Sequence, residues 1–179
     1  RQSLLDMGRM FALVDEKPDI IDQENAYELK VKNGKIEFIN VNFSFGTRKI
    51  LKNLTFTIES GEKVAIVGPT GAGKSTISKL LFRFYDPSSG KIYIDGQCIG
   101  EVTQNSLRSN IGVVPQDTVL FNDTIKYNIA YSKPNSSMKQ IVNAAKLSSI
   151  DKFISNLEAG YETLVGERGL KLSGGEKQR

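Results

Sequence analysis

An α/β fold is predicted, and three neighbouring features predict it. Lys63-Val64-Ala65-Ile66-Val67 is a short, mostly apolar run of the kind a strand covered on both faces requires. Gly68-Pro69-Thr70-Gly71-Ala72-Gly73-Lys74-Ser75 follows without a gap. From Ser75 to Phe84, Ile77, Leu80, Leu81 and Phe84 then recur at helical spacing on one side. Strand, glycine-rich turn and helix in that order aim the N–H groups of the turn, and the positive end of the helix, at one point.

The turn has the spacing of a phosphate-binding loop. With little bulk at Gly71 and Gly73, successive backbone N–H groups can converge on phosphate oxygens. Lys74 is then placed to reach β- and γ-phosphates, and Ser75 to give its hydroxyl to Mg²⁺, a cation that prefers hard oxygen ligands. The loop alone leaves kinases, GTPases and many motor ATPases open.

A second motif, Leu172-Ser173-Gly174-Gly175-Glu176-Lys177-Gln178-Arg179, closes the sequence. Ser173 can cap a helix there, and the glycines let a phosphate approach the exposed N–H groups. Downstream of a phosphate-binding loop this octapeptide resembles the signature sequence of ABC transporter nucleotide-binding domains, and the resemblance runs along essentially the whole chain. It implies the α/β fold of a P-loop NTPase of the ABC ATPase type, with an antiparallel β subdomain, an inserted α-helical subdomain and an incomplete C-terminal part. Residues 1–30 are then expected to be an extension from a transmembrane domain, 31–116 the ATP-binding core with its antiparallel sheet, and 117–179 the Q-loop, helical subdomain and start of the signature helix.

Other segments fall in the family's order. Ile111-Gly112-Val113-Val114-Pro115-Gln116 reads as a buried strand, and by resemblance Gln116 is the γ-phosphate sensor and a second Mg²⁺ ligand beside Ser75. Ile36 to Phe45 alternates as a strand, and Phe45 falls where the family places an aromatic, usually Tyr, that stacks on adenine. The resemblance thus implies ATP and Mg²⁺ as ligands, with Phe45, Gly68, Thr70, Gly71, Ala72, Gly73, Lys74, Ser75, Thr76 and Gln116 on the nucleotide. Leu172, Ser173, Gly174, Gly175 and Glu176 would act in trans on the partner's nucleotide. Between the motifs, helices are expected over Ile125–Ile129, Met138–Leu147 and Ile150–Leu157, with breaks at Pro134 and Gly160. Thr163 to Gly169 resembles the segment that meets the transport domain in exporters. Many exporters carry Glu where this chain has Leu164, which leaves Glu167 and Arg168 as the polar coupling candidates.

Leu4, Met7, Phe11 and Val14 give an amphipathic helical start, and the polar stretch from Asp15 to Lys35 reads as a linker. Arg1 to Met7 and Glu167 to Ser173 look closest to B-subfamily half-transporters of the mitochondrial iron–sulfur export and heavy-metal-tolerance type. The implied partners are a second nucleotide-binding domain, as a homodimer, and the transmembrane domain of the same polypeptide. The implied location is the cytosolic or matrix side of a membrane, the mitochondrial inner membrane for that subgroup.

Composition bounds this reading. No apolar stretch approaches the roughly 20 residues of a membrane span, so these residues are expected to be soluble. A single cysteine, Cys98, excludes an internal disulfide and is expected in a turn after the Ile92–Gly96 strand. The net charge of +4 is small and scattered, with no nucleic-acid patch. Asn122-Asp123-Thr124 is a sequon, expected to stay unglycosylated. The family's catalytic Glu and switch His are expected beyond Arg179, and the chain has no His. These residues are therefore expected to hold ATP yet hydrolyse it barely or not at all, with the last turn of the signature helix frayed and apolar strand faces uncovered. Two other classes compete: a non-transport ABC ATPase of the DNA-repair or translation type, and an interaction module with a vestigial nucleotide site.

Overall fold

A computed structural model describes residues 7, 10–11, 18–167 and 170–179. Leu4, Val14, Asp15, Arg168, Gly169 and most of the amphipathic start lie outside them. Met7 and Phe11 are described as helical and exposed. The chain divides into two compact units, one ending at Gly112 and one running from Val113 to Arg179.

The first unit is built on a four-stranded antiparallel sheet in the order β2-β1-β3-β4. Strands β1 (Ile36–Phe45) and β2 (Arg48–Ile58) form a hairpin whose register runs from Ile36↔Ile58 to Phe45↔Arg48. The other edge of β1 pairs with β3 (Ser89–Ile94), which turns through Asp95-Gly96 into the short β4 (Gln97–Cys98). Inward side chains of β1 and β3, among them Phe38, Val41, Phe43, Ile92 and Ile94, meet Leu51, Leu80, Val102 and Leu107 in one core. Phe38 also stacks on Phe56 at 4.6 Å between ring centroids. Cys98 lies in β4 rather than in the turn, and it is buried on the face it shares with its ladder partner Tyr93.

Helix α1 (Lys74–Leu81) follows the glycine-rich loop and turns Leu80 inward, with Ile77 packed against the same core. It stops sooner than the apolar spacing through Phe84 predicts, because the chain enters the left-handed region at Arg83 (φ 52). Arg83 N–H then donates to Leu80 O at 2.9 Å and Phe84 N–H to Lys79 O at 2.9 Å, a Schellman closure with Arg where glycine is usual. Phe84 is left exposed.

What holds Arg83 in that conformation is its side chain. It is 3% exposed; Nε donates to Asp86 Oδ1 at 3.0 Å and Nη1 to Asp22 Oδ1 at 3.3 Å and to Val102 O at 3.1 Å. Asp22 in turn accepts from the backbone and side-chain amides of Gln104, at the start of α2 (Gln104–Ser109). Farther along, Tyr27 bridges to Val102, Leu29 N–H reaches Ser106 Oγ, and the Gln97 amide pairs with both backbone groups of Lys30. Asp95 accepts the N–H groups of Lys32, Asn33, Gly34 and Lys35. The stretch read as a linker is thus sewn to the sheet edge from Ile20 onward, through side-chain acceptors that hydrophobic periodicity does not register.

The two apolar runs expected as buried strands are not strands. Lys63–Val67 and Ile111–Gln116 belong to no ladder, and Val64, Ile66, Val67, Val113 and Val114 are exposed. A parallel strand is buried only when strands pair with both its edges and helices cover its faces, and no described strand pairs with either run.

The second unit is helical: α3 (Ile125–Ala130), α4 (Met138–Leu147), α5 (Asp151–Ser155), a 3₁₀ turn (Gly160–Glu162) and α6 (Gly174–Gln178). Thr124 and Ser137 cap α3 and α4, the latter with a reciprocal capping box to Gln140. α5 is shorter than the Ile150–Leu157 helix expected, because Ile150, Ile154 and Leu157 turn into the core with Ile125, Ala145 and Val165 and the chain bends around them. No helix among the described residues is long and apolar enough to cross a membrane.

Arg83→Ala is expected to lower stability by about 2–4 kcal/mol, below the extreme for buried pairs because Asp22 and Asp86 are 34% and 46% exposed. The urea midpoint measures this, and Arg83→Lys should recover only part, since one ammonium cannot reach all the acceptors.

The Asp95 clamp makes a pH-dependent contribution. Donation from the Lys32, Asn33 and Gly34 amides holds the carboxyl well below the usual carboxylate range. A depressed native pKa stabilises the fold above the ordinary carboxylate value, and that contribution is lost as pH falls toward the native one. Asp95→Asn should therefore narrow the gap between urea midpoints at pH ~7 and pH ~3.

Candidate nucleotide-binding site

The first unit contributes the loop. Gly68, Gly71 and Gly73 have φ of 157°, 85° and 91°, and Gly73 caps α1 with no side-chain partner. Internal bonds fold the loop on itself: Ala72 N–H donates to Pro69 O, and Thr76 N–H and Ile77 N–H to Gly73 O. The N–H groups of Gly71, Gly73, Lys74 and Ser75 meet no acceptor among the described residues. Lys74 Nζ donates back to Gly68 O at 2.7 Å and Pro69 O at 2.9 Å, which places a charge inside the ring of amides. The loop is therefore a concave donor set at the positive end of an eight-residue helix, the arrangement that takes a polyphosphate.

Ser75 is exposed on the first turn of α1, whereas Thr76 is 6% exposed. With its N–H already given to Gly73, Thr76 has only its hydroxyl to offer, and the Ala72 N–H is likewise taken by Pro69 O. Among the described residues no group of three or more His, Cys, Asp or Glu could hold a metal ion. In the first unit the hydroxyl of Ser75 is a hard oxygen that suits Mg²⁺, which takes most of its ligands from water and substrate phosphates.

Phe45 stands at the tip of the β1–β2 hairpin, 41% exposed, while its neighbour Phe43 is buried. Its ring meets Phe43 and Tyr85 at right angles, with centroids 4.7 and 5.1 Å away. The ring is thus held by two aromatic neighbours and keeps part of its surface open to solvent. The same hairpin flanks the loop, since a Cβ at Gly73 would lie 3.0 Å from Ile50 Cγ2 and Leu51 Cδ2.

The second unit carries Gln116 and the signature. The Gln116 side chain is exposed, and its backbone oxygen accepts from Gln178 Nε2 at 3.0 Å. Ser173 caps α6: its Oγ accepts from Glu176 N–H, and the Glu176 carboxylate accepts Ser173 N–H at 2.7 Å. That bond from Ser173 holds the Glu176 carboxyl below its usual range. Glu176 is thus committed to its own helix, and Leu172 packs toward the Ile154 core, so Ser173, Gly174 and Gly175 are the open face. The frayed last turn expected from its length is replaced by a helix through Gln178, held by the capping box and by the bond to Gln116. A cleft of about 410 Å³ in this unit is walled by apolar groups such as Val113, Leu120 and Ile154, and offers no phosphate cradle.

Periodicity and motifs missed Tyr85, which backs Phe45, and Asn122, whose Oδ1 accepts Glu167 N–H at 2.6 Å. A Cβ at Gly166 would collide with that oxygen. Leu164 is exposed beside them, and Arg168 lies outside the described residues.

A family profile described as ABC transporter matches residues 51–179, and the chain belongs to that family. An ATM1-type heavy metal exporter of Novosphingobium aromaticivorans is 56% identical over 180 residues, covering 100% of this chain and 30% of that protein. ATP-binding cassette sub-family B member 6 of Rattus norvegicus is 55% identical over 178 residues, 99% of this chain and 21% of the relative. A heavy metal tolerance protein of Schizosaccharomyces pombe is 49% identical over 180 residues, 100% and 22% respectively. A solved structure described as a bacterial Atm1-family ABC exporter with ATP bound matches with a TM-score of 0.91 at 56% identity, over 99% of this chain and 31% of the other. The α/β class of the ABC ATPases and the B-subfamily resemblance read from the sequence both hold. The chain spans between a fifth and a third of the length of these relatives.

Gly73→Ala is expected to cost about 1–3 kcal/mol, seen as a lower melting temperature, because φ of 91° and the contacts to Ile50 and Leu51 both oppose a side chain. Gly175→Ala meets open space and should leave the melt within ~0.5 kcal/mol.

Proposed function

We propose that this chain is the nucleotide-binding domain of a membrane-embedded ABC exporter and binds Mg-ATP. The observation that carries the reading is the loop itself: amides of Gly71, Gly73, Lys74 and Ser75 without acceptors, ringed around the Lys74 ammonium. Phosphoryl transfer asks the protein mainly to position and to neutralise charge, and this loop does both. Phe45 supplies the face on which the base stacks, a contact worth on the order of 1–3 kcal/mol in base–aromatic systems. Ser75 and Gln116 hold the Mg²⁺, whose role is to neutralise charge on the phosphates.

In this reading the open face of Ser173, Gly174 and Gly175 meets the γ-phosphate held by a second copy, so that two such domains enclose two nucleotides. The capped α6 supports it, because its N-terminal N–H groups and dipole favour an anion there. Closing that pair would drive a transmembrane domain of the same polypeptide, as in the relatives named as exporters. Two of the relatives are named for heavy metals, which supports heavy metals as the exported class, and the parent is read as a half-transporter that pairs with a second copy. Glu167, held by Asn122, is the polar candidate for contact with the transport domain.

Calorimetry of the 179-residue chain with Mg-ATP, beside Lys74→Ala, tests the proposal. Binding in the first and at least a hundredfold weakening in the second is the expected result, since Lys74 supplies the charge at the centre of the donor ring. Phosphate release in the same samples separates turnover from binding. Absence of binding by the unsubstituted chain would overturn the assignment.

A further inference from the structure

We propose that Arg48 is a phosphate-binding residue of the nucleotide site, a second cation acting beside Lys74. The inference rests on the nucleotide reading above and adds to it a residue that neither motif contains.

Position comes first. Arg48 opens β2 directly opposite Phe45, across the tight Gly46-Thr47 turn, so the hairpin tip that offers the stacking ring also offers a guanidinium. The loop lies against this hairpin, and a Cβ at Gly71 would meet Arg48 Nη2 at 4.0 Å and no other atom within that radius. The guanidinium therefore borders the loop at the glycine whose N–H has no acceptor.

Partners, or their lack, come second. Arg83 and Arg108 give their donors to carboxylates, side-chain amides and carbonyls, and Arg179 donates to Ser149 O. Arg48 alone of the described arginines has neither a hydrogen-bond acceptor nor a carboxylate within reach among the described residues. A planar fork of donors thus lies beside an unpaired amide of the loop. Lys74 cannot serve that rim as the loop stands, because its ammonium is turned inward to Gly68 O and Pro69 O. Guanidinium matches phosphate oxygens in two-point geometry, which an ammonium cannot do.

The ligand chemistry that completes this set is a polyphosphate whose base lies on Phe45. Since the contact is to phosphate, it should be blind to the base. Because Arg48 is exposed, its effect should shrink as salt rises.

The test measures Mg-ATP, Mg-GTP and inorganic tripolyphosphate binding to the unsubstituted chain, Arg48→Ala, Arg48→Gln and Lys74→Ala, at low and near-physiological ionic strength. Arg48→Ala and Arg48→Gln are expected to weaken ATP and GTP by the same factor, about tenfold at low salt, and to weaken tripolyphosphate as well, with unchanged melting temperatures. Arg48→Gln keeps the aliphatic stem and a polar end but removes the charge, so it reads the contact even if Arg48→Ala disturbs the hairpin. Unchanged affinity for all ligands overturns the proposal, as does a loss confined to ATP. Binding abolished by Lys74→Ala but untouched at Arg48 defeats this inference alone, whereas no binding by the unsubstituted chain defeats it together with the nucleotide reading.

Discussion

The buried Arg83 guanidinium is the constraint on which the first unit turns. A cation cannot leave water without acceptors around it, and the acceptors it finds come from distant parts of the chain: Asp22 from the N-terminal strap, Val102 from the end of the β-subdomain, Asp86 from its own turn. Satisfying one charge therefore fixes where helix α1 ends and what packs against that end. The left-handed backbone at Arg83 costs on the order of 1–2 kcal/mol for a residue with a Cβ. Glycine would avoid that cost and lose every one of these bonds. The start of the same helix is the phosphate loop, so an ion cluster at one end of α1 anchors the donor ring at the other.

That ring works by being under-bonded. Nearly every buried backbone amide in a protein finds a partner, and most of the loop escapes the rule by staying at the surface with left-handed glycines at its bends, Gly73 being the buried exception. Only there can a run of N–H groups face outward together. The aromatic tip of the β1–β2 hairpin stands beside it because Ile50 and Leu51 pack under Gly73, which makes the hairpin the wall of the site as well as a pair of strands.

Much of this was legible in the sequence. The octapeptides ending at Ser75 and Arg179 announced themselves because glycine, lysine and serine occur there at spacings that few other demands explain. Met138–Leu147 matches its expected helix to the residue, between the breaks at Pro134 and Gly160. Strand β1 was equally plain. Less visible were features set by pairing and by side-chain acceptors. Lys63–Val67 and Ile111–Gln116 have strand composition, but a ladder depends on neighbours, and composition does not supply them. Asp22, Gln97 and Asp95 look like linker or loop polarity until their bonds are traced. The alternation Leu54, Phe56, Ile58 in β2 could have been noticed; the placement of Tyr85, Asn122 and Arg48 could not, because each acts on a residue remote in sequence or on the backbone of another loop.

The lone cysteine has a practical meaning. Cys98 is 8% exposed, on β4 beside Tyr93, next to the strap that Gln97 and Lys30 hold in place. A thiol reagent can reach it only when that edge of the sheet opens. Its labelling rate therefore times the opening of the first unit, with no signal from the helical unit, which carries no thiol. Ligand that tightens the first unit would register as slower chemistry at a sulfur that nucleotide never touches.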